Sequence, residues 1–470
     1  MKIVLSIFAQ SKRQSLNILN NNTLAIRKYI NNISSLQILH LLRFTTFLII
    51  SMIFTKSHLT IQRIGDFEIM LFIASIVSFF WVTGIIQSFL SLYNNNHAFP
   101  GEKNNSDHKS PEIFNAFLVL SAFSALFFLM LFFLKSNVHV FNDISNIPYA
   151  NLLLIYILIS NPTHMIEYIY VVKHRSMHLL WYGIISYSLQ LVIVAGPVIA
   201  GYDINMAFWG LIIISVLRLI MLGILLKKYA EFKISIPFIK AHLSLGYPLI
   251  VSTLLSGSAQ YIDGLIVANK FGAGDFAIFR YGAKELPLVV MMANGLSNAM
   301  IPEFSTTEKT RMALHTIRTR SKRLIHTLFP ISILIMLISN PLFIAAFNPH
   351  FRRSADVFMV YILLIISRLI FPQTILIGLK HTRIVMLASA IEIILNVSLS
   401  LYMIQFYGFV GVAVATAVIY VVEKMVLIAY NYYKLGIKPN EYIPVVLHLT
   451  YSSLLILLFV LIDHRIIKLY

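Results

Sequence analysis

The feature that most restricts this chain is a recurrence of apolar stretches, each about 18–25 residues long and nearly free of charge. A helix of about twenty residues rises some 30 Å, the thickness of a bilayer's hydrocarbon. No water reaches a backbone N–H or C=O there, so such a stretch closes its hydrogen bonds within itself, as a helix does. Spans are therefore expected at 36–55, 67–92, 113–134, 149–172, 177–200, 205–226, 244–268, 282–302, 325–347, 354–378, 384–405, 408–431 and 442–462. The expected fold class is all-α: a polytopic helical membrane protein of thirteen spans. Composition agrees, with 58% hydrophobic and 12% charged residues against about 25% charged in soluble domains.

The formal net charge of +18 has a membrane explanation. With the N-terminus placed in the cytoplasm, the inner segments hold 23 Lys and Arg and the outer ones 9. That bias orients the chain with its N-terminus inside, and no nucleic-acid partner is expected. There is no cysteine, which removes disulfides, thiolate metal sites and a cysteine nucleophile from consideration. The opening MKIVLSIFAQSKRQ has too short an apolar run for a secretory signal.

An internal repeat organises the spans. Gly65-Asp66-Phe67 opens the second and Gly274-Asp275-Phe276 the eighth; about twenty residues on come Thr83-Gly84-Ile85-Ile86 and Asn294-Gly295-Leu296-Ser297. Six spans is an even number, so both copies start on the same side and form parallel repeats about an axis along the membrane normal. The expected organisation is a cytoplasmic segment 1–35, a six-helix lobe 36–230, a cytoplasmic linker 231–243, a second six-helix lobe 244–434, and an additional helix and tail 435–470. The substrate pathway is expected between the lobes.

Charge at lipid depth marks candidate function, because it costs at least about 2.5–3.5 kcal/mol at mid-bilayer. Arg43, Arg218, Lys284 and Arg368 lie within spans and together suggest a cationic lumen. Guanidinium forks match phosphate oxygens, so a phosphate-bearing ligand would suit it. Asn294 and Asn298 complete the candidate substrate-binding set, whereas Lys424 beside Glu423 reads as a structural pair. The candidate ion-coupling acids are Asp263, Glu285, Glu392 and Glu167; each has an alternative role neutralising a nearby arginine.

The stretch Gly246–Phe304 concentrates these groups. Its two apolar runs meet at an expected turn, Phe271-Gly272-Ala273-Gly274-Asp275. Ser252, Ser256 and Asp263, spaced by four and seven, should share one helical face turned to protein or water. Pro162, Pro197, Pro287, Pro330 and Pro372 fall inside or at the edge of spans, as hinges or packing bends. Pro287 is expected to free the carbonyl of Ala283 beside Lys284. The run 306–323 is read as a basic cytoplasmic loop that fixes topology or meets anionic lipid. Gly408, Gly411, Ala413, Ala415 and Ala417 give the twelfth span a small-residue packing face.

Other patterns carry no chemistry. Phe271-Gly272-Ala273-Gly274 lacks the third glycine and preceding strand of a phosphate loop. His174 and His178 have no acidic third ligand nearby, so no metal is expected. No Ser-His-Asp arrangement or paired-carboxylate signature is evident, and neither catalysis nor a cofactor is expected.

Several segments resemble the polysaccharide-biosynthesis flippases of the multidrug/oligosaccharidyl-lipid/polysaccharide exporter superfamily. They are Leu41-Leu42-Arg43-Phe44, Gly65-Asp66-Phe67, Tyr261-Ile262-Asp263, Arg280-Tyr281-Gly282-Ala283-Lys284-Glu285-Leu286-Pro287, and Gly408 to Thr416. The similarity covers roughly residues 36–434; thirteen spans departs from that family's usual twelve or fourteen. The resemblance implies transfer of an undecaprenyl-pyrophosphate-linked oligosaccharide, an O-antigen or capsule unit, across the bacterial inner membrane. It also implies two lobes around a cationic cavity, alternating access and ion coupling. The implied partners are the lipid-linked substrate, the lipid bilayer, and a polysaccharide polymerase with its chain-length machinery. Two rival classes stand beside it. A cation antiporter of the same superfamily would prefer an acidic cavity. A membrane polymerase or ligase would need a long external loop, and the loops expected here are short.

Overall fold

The computed structural model describes residues 32–96, 108–134, 149–304 and 307–463. The expected segment 1–35 lies almost wholly outside them. The described residues are overwhelmingly helical; among them no strand forms, and only an isolated bridge joins Ser110 to Ala230. Among the described residues ten helices are long and apolar enough to cross a bilayer, and a bent pair, Pro349–Arg368 with Pro372–Gly378, raises this to eleven. The chain is a polytopic all-α membrane protein.

The first helices are α1 (Asn32–Lys56), α2 (Ile61–Asn96), α3 (Pro111–Leu134), α4 (Ala150–Thr163), α5 (Met165–Val172), α6 (Ser176–Ile199) and α7 (Ile204–Tyr229). The span expected at 149–172 is interrupted just after Pro162, between α4 and α5, where the missing proline N–H weakens the ladder. His164 N–H instead reaches the Asn161 carbonyl at 3.2 Å, a three-residue step.

The two spans expected at 244–268 and 282–302 are realised differently, as α8 (Ile236–Gly257), α9 (Ala259–Gly282) and α10 (Pro287–Met300). None of the three is among the helices long and apolar enough to cross alone. The ladder is disturbed at Ser258, where Tyr261 N–H turns to the Ser258 carbonyl at 2.9 Å. The turn expected at 271–275 is present as a kink: Gly272 has φ +79, a left-handed torsion that glycine alone adopts without strain. Pro287 does not sit in a helix interior. It occupies the first turn of α10, where a missing N–H costs nothing, and Ala283–Leu286 leave the helical path before it.

The later helices are α11 (Thr307–Ala346), α12 (Arg352–Ile362), α13 (Ile365–Arg368), α14 (Pro372–Gly378), α15 (Thr382–Tyr407), α16 (Phe409–Leu435), α17 (Pro439–Tyr442) and α18 (Val445–Asp463). The span expected at 354–378 is broken before Pro372 and bent by 47°. The run expected as a basic loop is helical from Thr307 and continuous with its span. Ala313, Leu314, Ile317 and Ser321 are buried on one face at three- and four-residue steps, while Arg311, Arg318, Arg320, Lys322 and Arg323 stay exposed.

The chain divides into two compact units. One comprises 1–54, 81–133 and 151–250; the other 55–80, 134–150 and 251–470. In the second, the two Gly-Asp-Phe copies meet. A Cβ on Gly65 would stand 1.9 Å from the carbonyl oxygen of Ala273, so only glycine permits this backbone approach. Phe67 and Phe276 are both buried. The small-residue face of α16 does similar work against α15, where Gly411 backs onto the Met403 carbonyl.

Candidate functional site

In the first unit, two of the expected cations converge on one tyrosine. Arg43 on α1 and Arg218 on α7 approach the Tyr187 ring of α6, their guanidinium carbons 5.7 and 4.9 Å from its centroid. Arg43 also donates from Nε to the Tyr187 hydroxyl at 2.6 Å. The two cations differ in what neutralises them. Arg43 forms an ion pair with Glu167, buried to 3% exposure, and His164 lies 3.8 Å from the same carboxylate oxygen. Arg218 makes no ion pair among the described residues. It donates from Nε to Ser186 Oγ and from Nη2 to Gln190 Oε1, both at 2.7 Å. Ser186 and Gln190 stand one turn apart on α6, so a single guanidinium bridges them.

Gln190 gives this site its polarity. Its Oε1 is occupied by Arg218, which fixes the amide orientation, and its Nε2 is buried without a hydrogen-bond partner. A guanidinium with neutral partners therefore stands next to an unused N–H donor. Both groups favour an acceptor with negative charge.

The second unit treats its charges differently. Arg368 ends α13, and Glu285 lies in the non-helical segment Ala283–Leu286. They form a two-pronged pair, Nε to Oε2 at 2.7 Å and Nη2 to Oε1 at 2.5 Å. Both partners thus sit where the backbone leaves the helical path. Ser297 Oγ and Thr374 Oγ1, 2.7 Å apart, tie α10 to α14 close by in sequence. Lys284 is next in the same break, its ammonium 5.3 Å from the Tyr281 ring centroid. Asn294 and Asn298 share an exposed face of α10. Lys424 pairs with Glu423 at 2.9 Å.

Asp263 on α9 is held by neutral groups. It is 4% exposed, and its Oδ2 accepts from Tyr361 at 2.8 Å and Thr416 at 2.6 Å. Thr416 in turn accepts from Asn396 Nδ2 at 3.0 Å, and Ser400 donates to Asn396 Oδ1 at 2.9 Å. Among the described residues Asp263 forms no ion pair, and its Oδ1 has no hydrogen-bond partner. Glu392, one turn before Asn396 on α15, is also buried. The expected face shared by Ser252, Ser256 and Asp263 does not form. Ser252 is exposed where Asp263 is buried, and the ladder between them is disturbed at Ser258. The Ser256 side chain lies outside the described residues.

The structure therefore brings Arg43, Arg218 and Glu167 together in one unit, and Arg368 with Glu285 in the other. Sequence reading missed Tyr187, Ser186, Gln190, Tyr361, Asn396 and Thr416. Polar residues at four-residue spacing inside apolar spans, Ser186/Gln190 and Asn396/Ser400, were the available signal.

The comparisons agree on the fold. Lipid II flippase MurJ, in an inward closed conformation, aligns over 91% of this chain and 99% of its own at 15% identity, with a TM-score of 0.59. An inward-facing multidrug resistance MATE family transporter of the MOP superfamily aligns over 86% and 98% at 11% identity, with a TM-score of 0.62. An outward-facing transporter of that description gives 0.53 at 12% identity, over 87% and 94%. No curated protein matches the sequence. The family model for polysaccharide biosynthesis proteins matches residues 59–355, more than half of the chain. With the fold and that match in hand, the chain belongs to the polysaccharide biosynthesis protein family.

Proposed function

We propose that this protein is a flippase for a lipid-linked oligosaccharide carried on a pyrophosphate. The observation that carries the reading is the Arg218 site: a cation within a membrane span with only neutral partners among the described residues, beside the unused Gln190 N–H. An arginine held by a carboxylate is already neutralised, whereas Arg218 retains its charge for a ligand. The family match and the likeness to flippase and transporter folds support the same class.

The substrate is then an undecaprenyl-pyrophosphate-linked O-antigen or capsule unit, moved by alternating access across the bacterial inner membrane with the N-terminus in the cytoplasm. The protein works as a transporter and makes no covalent change to its cargo. Ion coupling falls to Asp263, whose carboxylate is held by two hydroxyls and forms no ion pair among the described residues. A polysaccharide polymerase and its chain-length machinery would act on the delivered unit.

The test is purified protein in proteoliposomes loaded with fluorescent undecaprenyl-pyrophosphate oligosaccharide. Outer-leaflet substrate is scored by a membrane-impermeant quencher, with and without proton or sodium gradients. Accelerated exchange that Arg218→Met removes supports the reading. Exchange at the protein-free rate under every gradient, together with export of cationic dyes, would transfer the protein to the antiporter class.

A further inference from the structure

An undecaprenyl chain cannot follow its sugar through a polar passage, since each methylene taken from hydrocarbon into water costs about 0.8 kcal/mol. While the headgroup crosses, the chain must stay in lipid. The protein therefore needs a lateral seam with apolar walls and a cationic group at its inner edge. The first unit contains one such feature away from the Tyr187 cluster's ion pair.

Between α6 and α7 lies a cavity of about 330 Å³ that includes Arg218 and Ser186 in its lining. This is at the low end of small-ligand pockets, about 300–1,000 Å³, and suits a length of chain rather than a sugar headgroup. Its walls are otherwise mostly apolar: Trp181, Ile185 and Leu189 from α6 face Leu217 and Met221 from α7. Trp181 and Ile185 are 56% and 61% exposed, so the cavity is open at its side. The α6 lining runs from Met177 to Leu189, about 18 Å along the axis at 1.5 Å per residue, or roughly half the hydrocarbon thickness. One end is marked by His178, next to the boundary loop Lys173–Arg175, and the other by Arg218.

We propose that the α6–α7 groove seats the isoprenoid chain nearest the phosphate while Arg218, in its lining, holds the phosphate oxygens. This assignment rests on the flippase reading above and adds to it where the lipid part of the substrate lies. The occupant is a prenyl chain rather than bulk lipid because the apolar seam ends on a guanidinium that no carboxylate neutralises among the described residues. Charge complementarity then selects a chain joined directly to phosphate. A phospholipid places a glycerol and two ester groups between its phosphate and its chains, so its polar esters would lie against the apolar wall beside Arg218.

Two measurements test it. In the first, Ile185→Trp and Leu189→Trp fill the groove while Arg218 itself is kept, and Ile184→Trp, on an exposed position outside the lining, is the control. Flipping of the undecaprenyl-linked substrate should fall about tenfold in the filled variants, while a methyl-pyrophosphate-linked analogue, which has no chain to seat, and the control variant keep the wild-type rate. Equal rates for the undecaprenyl-linked substrate in filled and wild-type protein, or an equal fall for the substrates with and without the chain, would overturn the assignment. In the second, a photoreactive undecaprenyl phosphate should label peptides containing 177–189 and 214–221, and unlabelled undecaprenyl phosphate should compete. Labelling by photoreactive phosphatidylglycerol that undecaprenyl phosphate does not displace would make the groove ordinary lipid-facing surface. Competitive labelling in a protein that flips nothing would keep the chain site and remove the transport reading, so the two failures are separable.

Discussion

Arg43 and Arg218 both approach one tyrosine, and the same substitution at each should have different consequences. Arg43→Met strands Glu167, a carboxylate at 3% exposure, with His164 at 3.8 Å and no Lys or Arg among the described residues left to pair with it. Removing one partner of a buried pair costs about 3–5 kcal/mol, because the surviving charge is left in low dielectric. Arg218→Met strands no charge. Ser186 can rotate its hydroxyl toward a carbonyl one turn back, and the remaining loss is one neutral acceptor on Gln190, about 1–3 kcal/mol. Methionine keeps the apolar stem at both sites, so packing changes little. The difference, about 2 kcal/mol, is near thirtyfold in an unfolding equilibrium. The assay measures membrane abundance, melting in detergent and surface polysaccharide in a strain lacking the chromosomal copy. Arg43→Met should melt early and be depleted, and adding Glu167→Leu should restore its melting. Arg218→Met should be present at near wild-type level and yield no surface polysaccharide. Equal melting of the two single variants, or full surface polysaccharide from Arg218→Met, would refute the division of roles.

Three more outcomes are expected. Gly65→Val should remove folded protein from the membrane, since even a Cβ at that position overlaps the Ala273 carbonyl; normal abundance on an immunoblot would contradict the close approach. Asp263→Asn should leave slow exchange in proteoliposomes but abolish its acceleration by an imposed gradient, and retained acceleration would remove Asp263 from coupling. Arg368→Ala and Glu285→Ala should each lower melting more than the double substitution does, because each alone leaves a charge at a helix break. Additive losses would mean the pair is not coupled.

Much of the candidate site was readable as a set of residues and not as an arrangement. Arg43, Arg218, Glu167, Asp263, Glu285 and Arg368 stand out because charge in an apolar span is costly wherever it lies. Which of them are neutralised could not be read, because the partners are 124 residues apart for Arg43 and Glu167 and 83 for Arg368 and Glu285. The neutral partners were harder still. Ser186, Gln190 and Tyr187 look like ordinary members of a span until α7 is laid against α6.

The sequence by itself determined the class of the protein and much of its segmentation. Long uncharged runs admit one hydrogen-bonding solution in lipid, the helix. Tertiary structure alone decided where helices are interrupted between Gly246 and Phe304, and that Gly65 is pressed against Ala273. It alone also decided that Arg43 is paired with a carboxylate while Arg218 is held by neutral groups among the described residues. The reason is physical: hydropathy acts locally along the chain, whereas the neutralisation of a buried charge depends on groups within a few ångströms that the fold brings from distant helices.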